Sequence, residues 1–516
     1  MLGQKEKSSK LMVTVTLENL VPEDDFYRRV DRVLNLRYLF QKCKKYYGKT
    51  GRHSIDPVVF FKILLYGYFE GITSDRELVK RISDSLSARL FVGYDLDEEL
   101  PWHSTISRTR GIIGEEIFEG LFTEIVSMCI GAGLVEGQHQ SVDSTLVRAN
   151  ASLESLERKK PVMSVNEYLS KTKENEKGEE KRGDESNDPF ESPKNTQEEG
   201  ETKLSVIEKE TGSGKARREI KKTSNEDYQS KTDPESRITK KAGTPTGLYY
   251  KTQYTADAKK GVITDVMTVY GNKADQQTLI ESLKRSNRRL ERYGLQVDTA
   301  SADKGYMSGK NLHEMTEMGI TGYIPLKQCM NKYDGSDESG FKYDEVKNEY
   351  ICPEGEVLSL RTTDESQDLL IYRCDSKTCN GCRLKAECTK SKTGRQIKRS
   401  MYWKEYVKLR ERMKSGRGRI AMRIRKSTVE RLFGEAKENH GLRKFMTRGL
   451  SKAQKTSYVI ASVQNLKRIL NSRKKRFVGA NSLLPIIEDK ILSVFSKMCW
   501  FAKEYFIETE NYCLGD

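Results

Sequence analysis

Apolar residues follow a helical period through the first part of the chain, from about Leu17 to Ile130. The stretch DPVVFFKILLYGYFEG is bulky and apolar, and SDRELVKRISDSLSARL repeats apolar residues at helical spacing. PWHSTISRTRGI continues the pattern and offers Ser104 or Thr105 as a helix cap. Residues 1–136 are therefore predicted to form an all-helical N-terminal domain.

After Gly137 the pattern changes to alternating strands and helices. QHQSVDSTLV predicts a first strand, and GLYYKTQYTADAK and GVITDVMTVY predict two paired strands with a turn from Lys259 to Gly261. Next come a helix in ADQQTLIESLKRSNRRLERYG, a strand in VDTASADKGY, a helix in SGKNLHEMTEMG and a strand in ITGYIPLK. This order predicts an α/β core with a mixed sheet within residues 137–470.

Two insertions and a tail interrupt or follow this core. Residues 152–241 are rich in Glu, Lys, Ser, Asn and Thr and predict a flexible polar insertion, because such sequence buries too little apolar area to offset ordering entropy. Residues 330–400 predict a β-rich insertion that contains cysteines. Helical pattern then resumes in WKEYVKLRERMKS, RIAMRIRKSTVERLFGEAKENHG and TSYVIASVQNLKRILNS. Residues 471–516 predict a C-terminal helical tail, to which no function is assigned.

The composition predicts a type of partner and a compartment. Lys and Arg number 91 against 75 Asp and Glu, and the resulting charge of +16 favours a polyanion such as nucleic acid. The chain contains no apolar run of the roughly 18 residues that span a bilayer. Its polar start, MLGQKEKSSK, is unlike a secretory signal. The sequence therefore predicts a cytoplasmic protein without a membrane partner.

Three acidic residues stand out by their context. Asp143 lies within a predicted strand, Asp303 ends a second apolar strand, and Glu430 lies on a helix beside a buried stripe. Two Mg²⁺ or Mn²⁺ ions that catalyse phosphoryl transfer need shared, rigidly placed carboxylates of this kind. Each residue also has a structural interpretation. The aspartates suit turns or caps, and Glu430 could complete a capping box from Ser427 or pair with Lys426.

These residues carry a family resemblance. SVDSTLVRAN, ASADKGY and STVERLFGEAKENHGLRKFMTRGL resemble the three catalytic blocks of DDE transposases from bacterial insertion sequences. The resemblance runs roughly from Gln138 to Asn465 and extends to the helical region around HSIDPVVFFKILLYGYFEGITSDREL. It implies a ribonuclease H-like catalytic core preceded by a helical DNA-binding domain. It also implies that Asp143, Asp303 and Glu430 are the catalytic and metal-binding acids.

The third block also carries the family's basic positions, with departures. The family's lysine after the glutamate falls on Lys437, two helical turns beyond Glu430 and so on the same face. Many relatives carry Tyr and Arg seven and four residues before the glutamate, where this chain has Arg423 and Lys426. One of the two positions keeps its charge, but the aromatic residue is lost. Details of flipped-base chemistry are therefore not implied.

Basic residues near these blocks, and on the helix of PWHSTISRTRGI, are the candidates for DNA contact. The alternative is that they are ordinary solvated charges. The predicted DNA-binding residues are Lys437, Lys426, Arg423, Arg431, Lys304, Arg108 and Arg110.

The activity that the resemblance implies is DNA transposition. The protein would bind the terminal inverted repeats of its element, cut DNA strands and join the freed 3′-hydroxyl to target DNA. It would work as a homodimer or higher oligomer, associated with the bacterial nucleoid. Three other classes stay open: a ribonuclease H-like nuclease that does not join, a catalytically silent DNA-binding derivative, and a zinc-ribbon regulator. The last leaves the α/β core without a role.

A cysteine cluster lies in the second insertion. Cys374, Cys379, Cys382 and Cys388 fall within fifteen residues, and the CNGC piece has the spacing of a zinc knuckle. Because an intracellular location disfavours disulfides, the cluster is a candidate structural Zn²⁺ site. Free thiols and redox-sensitive residues are the alternatives.

Overall fold

The N-terminal region of the computed structural model is helical, as predicted. The structure describes residues 15–48, 50, 54–159, 224–241, 243–326 and 340–478. The longest apolar stretch forms α4, where Asp56 accepts a hydrogen bond from the Val58 N–H at 2.6 Å and Pro57 takes the first helical position. The helices described before the first strand are α1 Leu17–Leu20, α2 Phe26–Val33, α3 Tyr38–Cys43, α4 Pro57–Phe69, α5 Asp75–Asp84, α6 Leu86–Val92, α7 His103–Ile112 and α8 Glu115–Gly131.

SDRELVKRISDSLSARL forms two helices, α5 and α6, because Ser85 between them is extended and its hydroxyl caps α6 through the Ala88 N–H. The predicted cap of the following helix was wrong. Helix α7 begins at His103, directly after Trp102, so neither Ser104 nor Thr105 caps it.

A mixed sheet follows, and its strands, except for β4, coincide with the predicted strand segments. The sheet order is β4-β5-β1-β7-β8, with β6 also paired to the long strand β5. β5 runs antiparallel to β1, β4 and β6, whereas β7 is parallel to both β1 and β8. The strands of the described chain are β1 His139–Arg148, β2 Leu156–Arg158, β3 Tyr228–Ser230, β4 Arg237–Lys241, β5 Thr244–Asp257, β6 Ile263–Tyr270, β7 Thr299–Ser301, β8 Thr321–Tyr323, β9 Lys342–Asp344, β10 Glu349–Ile351, β11 Val357–Asp364, β12 Leu369–Arg373 and β13 Gln396–Ser400.

Helices cover this sheet and support the segment that carries Glu430. α14 continues without a break through a π-helical turn, Lys426–Glu430, into α15. The helices after the first strand are α9 Leu279–Glu291, α10 Gly309–Glu317, α11 Ser376–Asn380, α12 Lys385–Cys388, α13 Trp403–Lys414, α14 Gly416–Arg425, α15 Arg431–Asn439 and α16 Leu450–Val478.

The last helix closes the outer edge of the sheet. α16 packs against α8 and β6. The Asn465 side chain accepts a hydrogen bond from the Ile263 N–H and donates one to the Ile263 carbonyl, both at 2.8 Å. Gln454 makes the same pair of contacts with the Thr268 N–H and the Val266 carbonyl. These amides satisfy backbone groups of β6 that an open edge would expose.

Parts of the first insertion and of the tail differ from the predictions made for them. β2 and β3 pair antiparallel on either side of residues 160–223, and β4 joins the main sheet. Residues 224–241 are therefore ordered, although they were predicted to be flexible, and residues 160–223 lie outside the described residues. In the second insertion β9 to β13 form a five-stranded sheet. Of the predicted tail, residues 471–478 continue α16 and the remainder lies outside the described residues.

Among the described helices, none has the length and apolar character needed to cross a membrane.

Candidate active site

Asp143 and Asp303 lie side by side on neighbouring strands. β1 and β7 are parallel, and Ser141 pairs with Ser301, their hydroxyl oxygens 3.3 Å apart. Each aspartate follows its serine by two residues. Asp303 adopts an extended conformation just past the end of β7, so the two carboxylates come out at the same level of the sheet. The strand register therefore brings together two acids that are 160 residues apart in the chain.

The turn after β7 holds Asp303 and places a further acid beside it. The Asp303 carboxylate accepts a hydrogen bond from the Gly305 N–H at 2.7 Å. A Cβ at Gly305 would lie 2.9 Å from an oxygen of Asp303 and 3.0 Å from an oxygen of Asp275, so the turn needs glycine there. Asp275 also accepts hydrogen bonds from the Ser144 hydroxyl at 2.8 Å and the Lys251 ammonium at 2.9 Å. Asp275 was not among the predicted site residues.

Glu430 is carried to the sheet by a helix that packs on β5. Phe433 stacks on Tyr254 with ring centroids 4.4 Å apart, and Tyr254 is the cross-strand partner of Asp143. Glu430 lies one turn before Phe433, and about half of its side chain is exposed. The residues that hold the helix against the sheet are the predicted stripe of Val429, Leu432, Phe433 and Ala436, all buried.

The structural interpretation of Glu430 as the end of a capping box does not hold. The helix runs through Ser427 without starting there, and the Ser427 hydroxyl donates back to the Ile424 carbonyl at 3.0 Å. The ion pair of Glu430 is with Arg425 rather than with Lys426, which is exposed.

Arg425 links the first and third acids. Its guanidinium donates to Asp143 at 3.0 Å and lies 3.7 Å from Glu430, with only 12% of its side chain exposed. In an α-helix, residues five apart point about 140° away from each other. The π-helical turn takes up the extra residue and brings Arg425 and Glu430 to one face, and π turns of this kind recur at functional sites. A pattern read with α-helical spacing therefore selects Lys426 and misses Arg425.

The surroundings of Asp143 shift its pKa in opposite directions. Burial raises the pKa of Asp143, and the neighbouring Asp303 raises it further. The Ser144 N–H and the Arg425 guanidinium act in the opposite direction. Burial also lowers the pKa of Lys437, together with Arg443 and Lys241, whereas the charge of Asp143 opposes that shift. Lys437 is thus half-buried and close enough to the acids to interact with them.

The donor set suits a hard divalent cation, because β1, the turn after β7 and the π-helical turn each supply a carboxylate. Asp143, Asp303 and Glu430 are the residues that would hold the ion. Within the part of the chain that the structure describes, no group of three or more His, Cys, Asp or Glu side chains is already arranged to hold a metal ion. At the acids, the guanidinium of Arg425 lies between Asp143 and Glu430.

The other predicted DNA-binding residues fall into two groups. Arg110 is buried, and its guanidinium binds both oxygens of Asp75, at 2.7 and 2.9 Å. A side chain held in this way is not presented to DNA, so that assignment is corrected. Arg431 points toward the β5–β6 turn, 3.5 Å from where a Cβ of Gly261 would lie. The exposed members of the set are Arg108, Lys304, Arg423, Lys426 and Arg431.

Two arginines of α7, Arg110 and Arg108, allow a structural role to be distinguished from exposure to solvent. We expect Arg110→Ala to lower the free energy of unfolding by about 2 kcal/mol, because it leaves the Asp75 carboxylate without its buried partner. Arg108→Ala, on the exposed side of the same helix, should change it by less than about 0.5 kcal/mol. Urea unfolding of both variants makes the comparison. Equal stability of the two would remove the structural role of Arg110.

The cysteines of the second insertion converge on a small cavity. Cys374, Cys379, Cys382 and Cys388 line it together with Cys352. All five are free thiols. Burial raises the pKa of the Cys374 thiol to about 12, and the neighbouring Cys379 and Cys352 contribute to the shift. The thiols are thus close neighbours, although they are not arranged as a metal site.

Comparison with known proteins adds two domain matches. A transposase domain of the DUF772 family matches residues 15–111, and a transposase DDE domain matches residues 351–470. The second match includes Glu430, while Asp143 and Asp303 lie outside both.

A search of curated proteins found no match. A solved structure, described as the cryo-EM structure of a piggyBac transposase synaptic complex with hairpin DNA, aligns over 90% of this chain and 82% of its own. Its sequence identity is 11% and its TM-score 0.26, too low to support an argument about the fold. A transposase domain in the helical region and a transposase DDE domain around Glu430 together support a DDE transposase of an insertion sequence.

Proposed function

We propose that this transposase binds the terminal inverted repeats of its element, cuts the DNA strands there and joins the freed 3′-hydroxyls to target DNA. The observation that supports this proposal is the parallel pairing of Ser141 with Ser301, two residues before Asp143 and Asp303, with Glu430 linked to Asp143 through Arg425. The family's chemistry needs three acids supplied in this way by distant parts of the chain. The net charge of +16 suits a DNA partner.

Each acid has a distinct support that would fix its position during catalysis. Asp143 is held by the sheet, Asp303 by its bond to the Gly305 N–H, and Glu430 by the packing of α15 on β5. Asp143, Asp303 and Glu430 would hold two divalent ions, Mg²⁺ or Mn²⁺, and these would supply activation of the attacking oxygen and stabilisation of the leaving one. Lys437, half-buried near Asp143, would bind a phosphate oxygen beside the cut.

The topology supports a ribonuclease H-like core. The first strand lies inside the sheet: on one side it pairs antiparallel with β5, which pairs antiparallel with β6, and on the other side β7 and β8 follow as parallel strands. The helical region would supply sequence-specific DNA contacts, with Arg108 on the exposed face of α7. Holding two element ends together requires at least two copies of the chain.

Strand-transfer products distinguish the proposal from its alternatives. Purified protein would be incubated with Mg²⁺ or Mn²⁺ and DNA that carries the sequences flanking its gene. Joined products support the transposase. Cleaved ends without joining would favour a ribonuclease H-like nuclease, and specific end binding without cleavage would favour a catalytically silent DNA-binding derivative.

We further propose a structural Zn²⁺ in the cysteine insertion, on the basis that five thiols line one cavity. Elemental analysis of protein purified without added metal is expected to give about one Zn per chain. Serine in place of both Cys379 and Cys382 should remove that zinc, because thiolates are the ligands. A wild-type protein with well under one Zn per chain would contradict the proposal and leave the cluster as free thiols.

A further inference from the structure

Arg425 occupies the position that a cation would take among the acids. Its guanidinium contacts Asp143 from β1 and lies within ion-pair distance of Glu430 from the helix. The side chain is 12% exposed, and its Nε atom makes no hydrogen bond within the part of the chain that the structure describes. The hydrogen bonding of Arg425 is thus incomplete, and its position between the two carboxylates is explained by its charge.

This contact and metal binding exclude one another. The guanidinium keeps its positive charge at every accessible pH, so it cannot be neutralised in place. A divalent ion held by Asp143 and Glu430 would stand next to that charge in a partly buried site, where like charges repel strongly. For the ion to enter, the guanidinium has to leave both carboxylates.

The π-helical turn makes the contact geometrically feasible. It spans Lys426–Glu430, directly after Arg425, and turns Arg425 and Glu430 to the same face of the helix. Thr428 and Val429 within the turn are buried, so the backbone is anchored and a displacement of the guanidinium would be taken up by the long side chain of Arg425.

We propose that Arg425 is an internal counter-ion that keeps the metal site closed, so that metal binding is a displacement of its guanidinium from Asp143 and Glu430. The inference rests on the proposed function, since it takes these acids as metal ligands. Arg425 is thus a positioning residue: in the metal-free protein it prevents the acids from repelling one another, and it sets the metal concentration at which the site fills.

The test is a titration of Mn²⁺ into full-length protein without DNA. Binding is measured as the loss of the electron paramagnetic resonance signal of free Mn²⁺. Arg425→Gln is expected to bind Mn²⁺ at least about tenfold more tightly than wild type, a difference of about 1.4 kcal/mol. Arg419→Gln is the matched control, because it removes one charge from an exposed position of the same helix α14. Its affinity should stay within about threefold of wild type, a change of well under 1 kcal/mol. Arg425→Lys keeps the charge but reaches only one carboxylate, so it should show a smaller gain; it carries the test if the glutamine variant does not fold.

Whether the Mn²⁺ affinity rises or falls when Arg425 is replaced distinguishes a counter-ion from a residue that only supports the local structure. If Arg425 only supported the local structure, its removal would loosen the acids and weaken Mn²⁺ binding. Equal or weaker binding by Arg425→Gln, relative to Arg419→Gln, would overturn the inference while leaving the metal site in place. Failure of wild type and every variant to bind Mn²⁺ would instead overturn the metal site itself, and the counter-ion role with it.

Discussion

Replacing Glu430 by glutamine is expected to abolish DNA cleavage while leaving DNA binding intact. The change keeps the size of the side chain and the packing of α15, but it removes a negatively charged oxygen from the acid set. Loss of a metal ligand costs several kcal/mol of transition-state stabilisation, so the rate of cleavage should fall on the order of 10³-fold. Asp143→Asn and Asp303→Asn are expected to behave in the same way.

Glu438→Gln is the matched control for this prediction. Glu438 is an exposed acid on the same helix and pairs with Arg443 at the surface. Its loss should leave cleavage near the wild-type rate. The measurement is cleavage of labelled element-end DNA, with a gel-shift titration of the same samples to check binding. A Glu430→Gln protein that cuts at nearly the wild-type rate would remove Glu430 from the active site.

Replacing Asp265 by alanine is expected to cause the largest loss of stability among the substitutions considered. Asp265 is almost fully buried on β6 and pairs with Arg289 at 2.5 Å and Arg285 at 3.2 Å, both on α9. Glu119 of α8 also pairs with these arginines. Removing one member of a buried charge network leaves the others uncompensated, so the free energy of unfolding should fall by about 3 to 5 kcal/mol.

Asp298→Ala is the control variant, because it removes an exposed acid next to the same sheet. Asp298 is exposed just before β7, and its removal should change the free energy of unfolding by less than about 0.5 kcal/mol. Urea unfolding of the two variants and wild type makes the comparison. A loss below about 1 kcal/mol for Asp265→Ala would show that solvent or Glu119 compensates the arginines. The network would then contribute little to the attachment of α8 and α9 to the sheet.

The elements around Asp143 and Asp303 could be predicted from the sequence because their signals are strong and local. β5 and β6 are apolar segments on either side of a glycine turn, and α9 has a clear helical period. Once the strands were identified, the two aspartates stood at strand positions that a parallel pairing could bring together. The pairing itself, Ser141 with Ser301, depends on the fold and became visible only in the structure.

Other features of the site could not be predicted, for identifiable physical reasons. The role of Arg425 depends on a π-helical turn, which shifts the helical face by one residue and has no signature in the apolar pattern. Asp275 lies in a connection between a strand and a helix, where an acid has many ordinary uses. Arg110 was misassigned because its partner Asp75 lies on another helix, 35 residues earlier. β4, with the polar sequence RITKK, resembles the insertion that precedes it, so its place in the main sheet was missed.

The most direct test of the account is to locate Mn²⁺ by anomalous scattering in crystals of the protein bound to element-end DNA. The account predicts Mn²⁺ within about 2.1 Å of carboxylate oxygens of Asp143, Asp303 and Glu430, with the Arg425 guanidinium moved away from Asp143 and Glu430. Mn²⁺ bound elsewhere along the DNA path, with Arg425 still between Asp143 and Glu430, would contradict the assignment of these three acids as the active site.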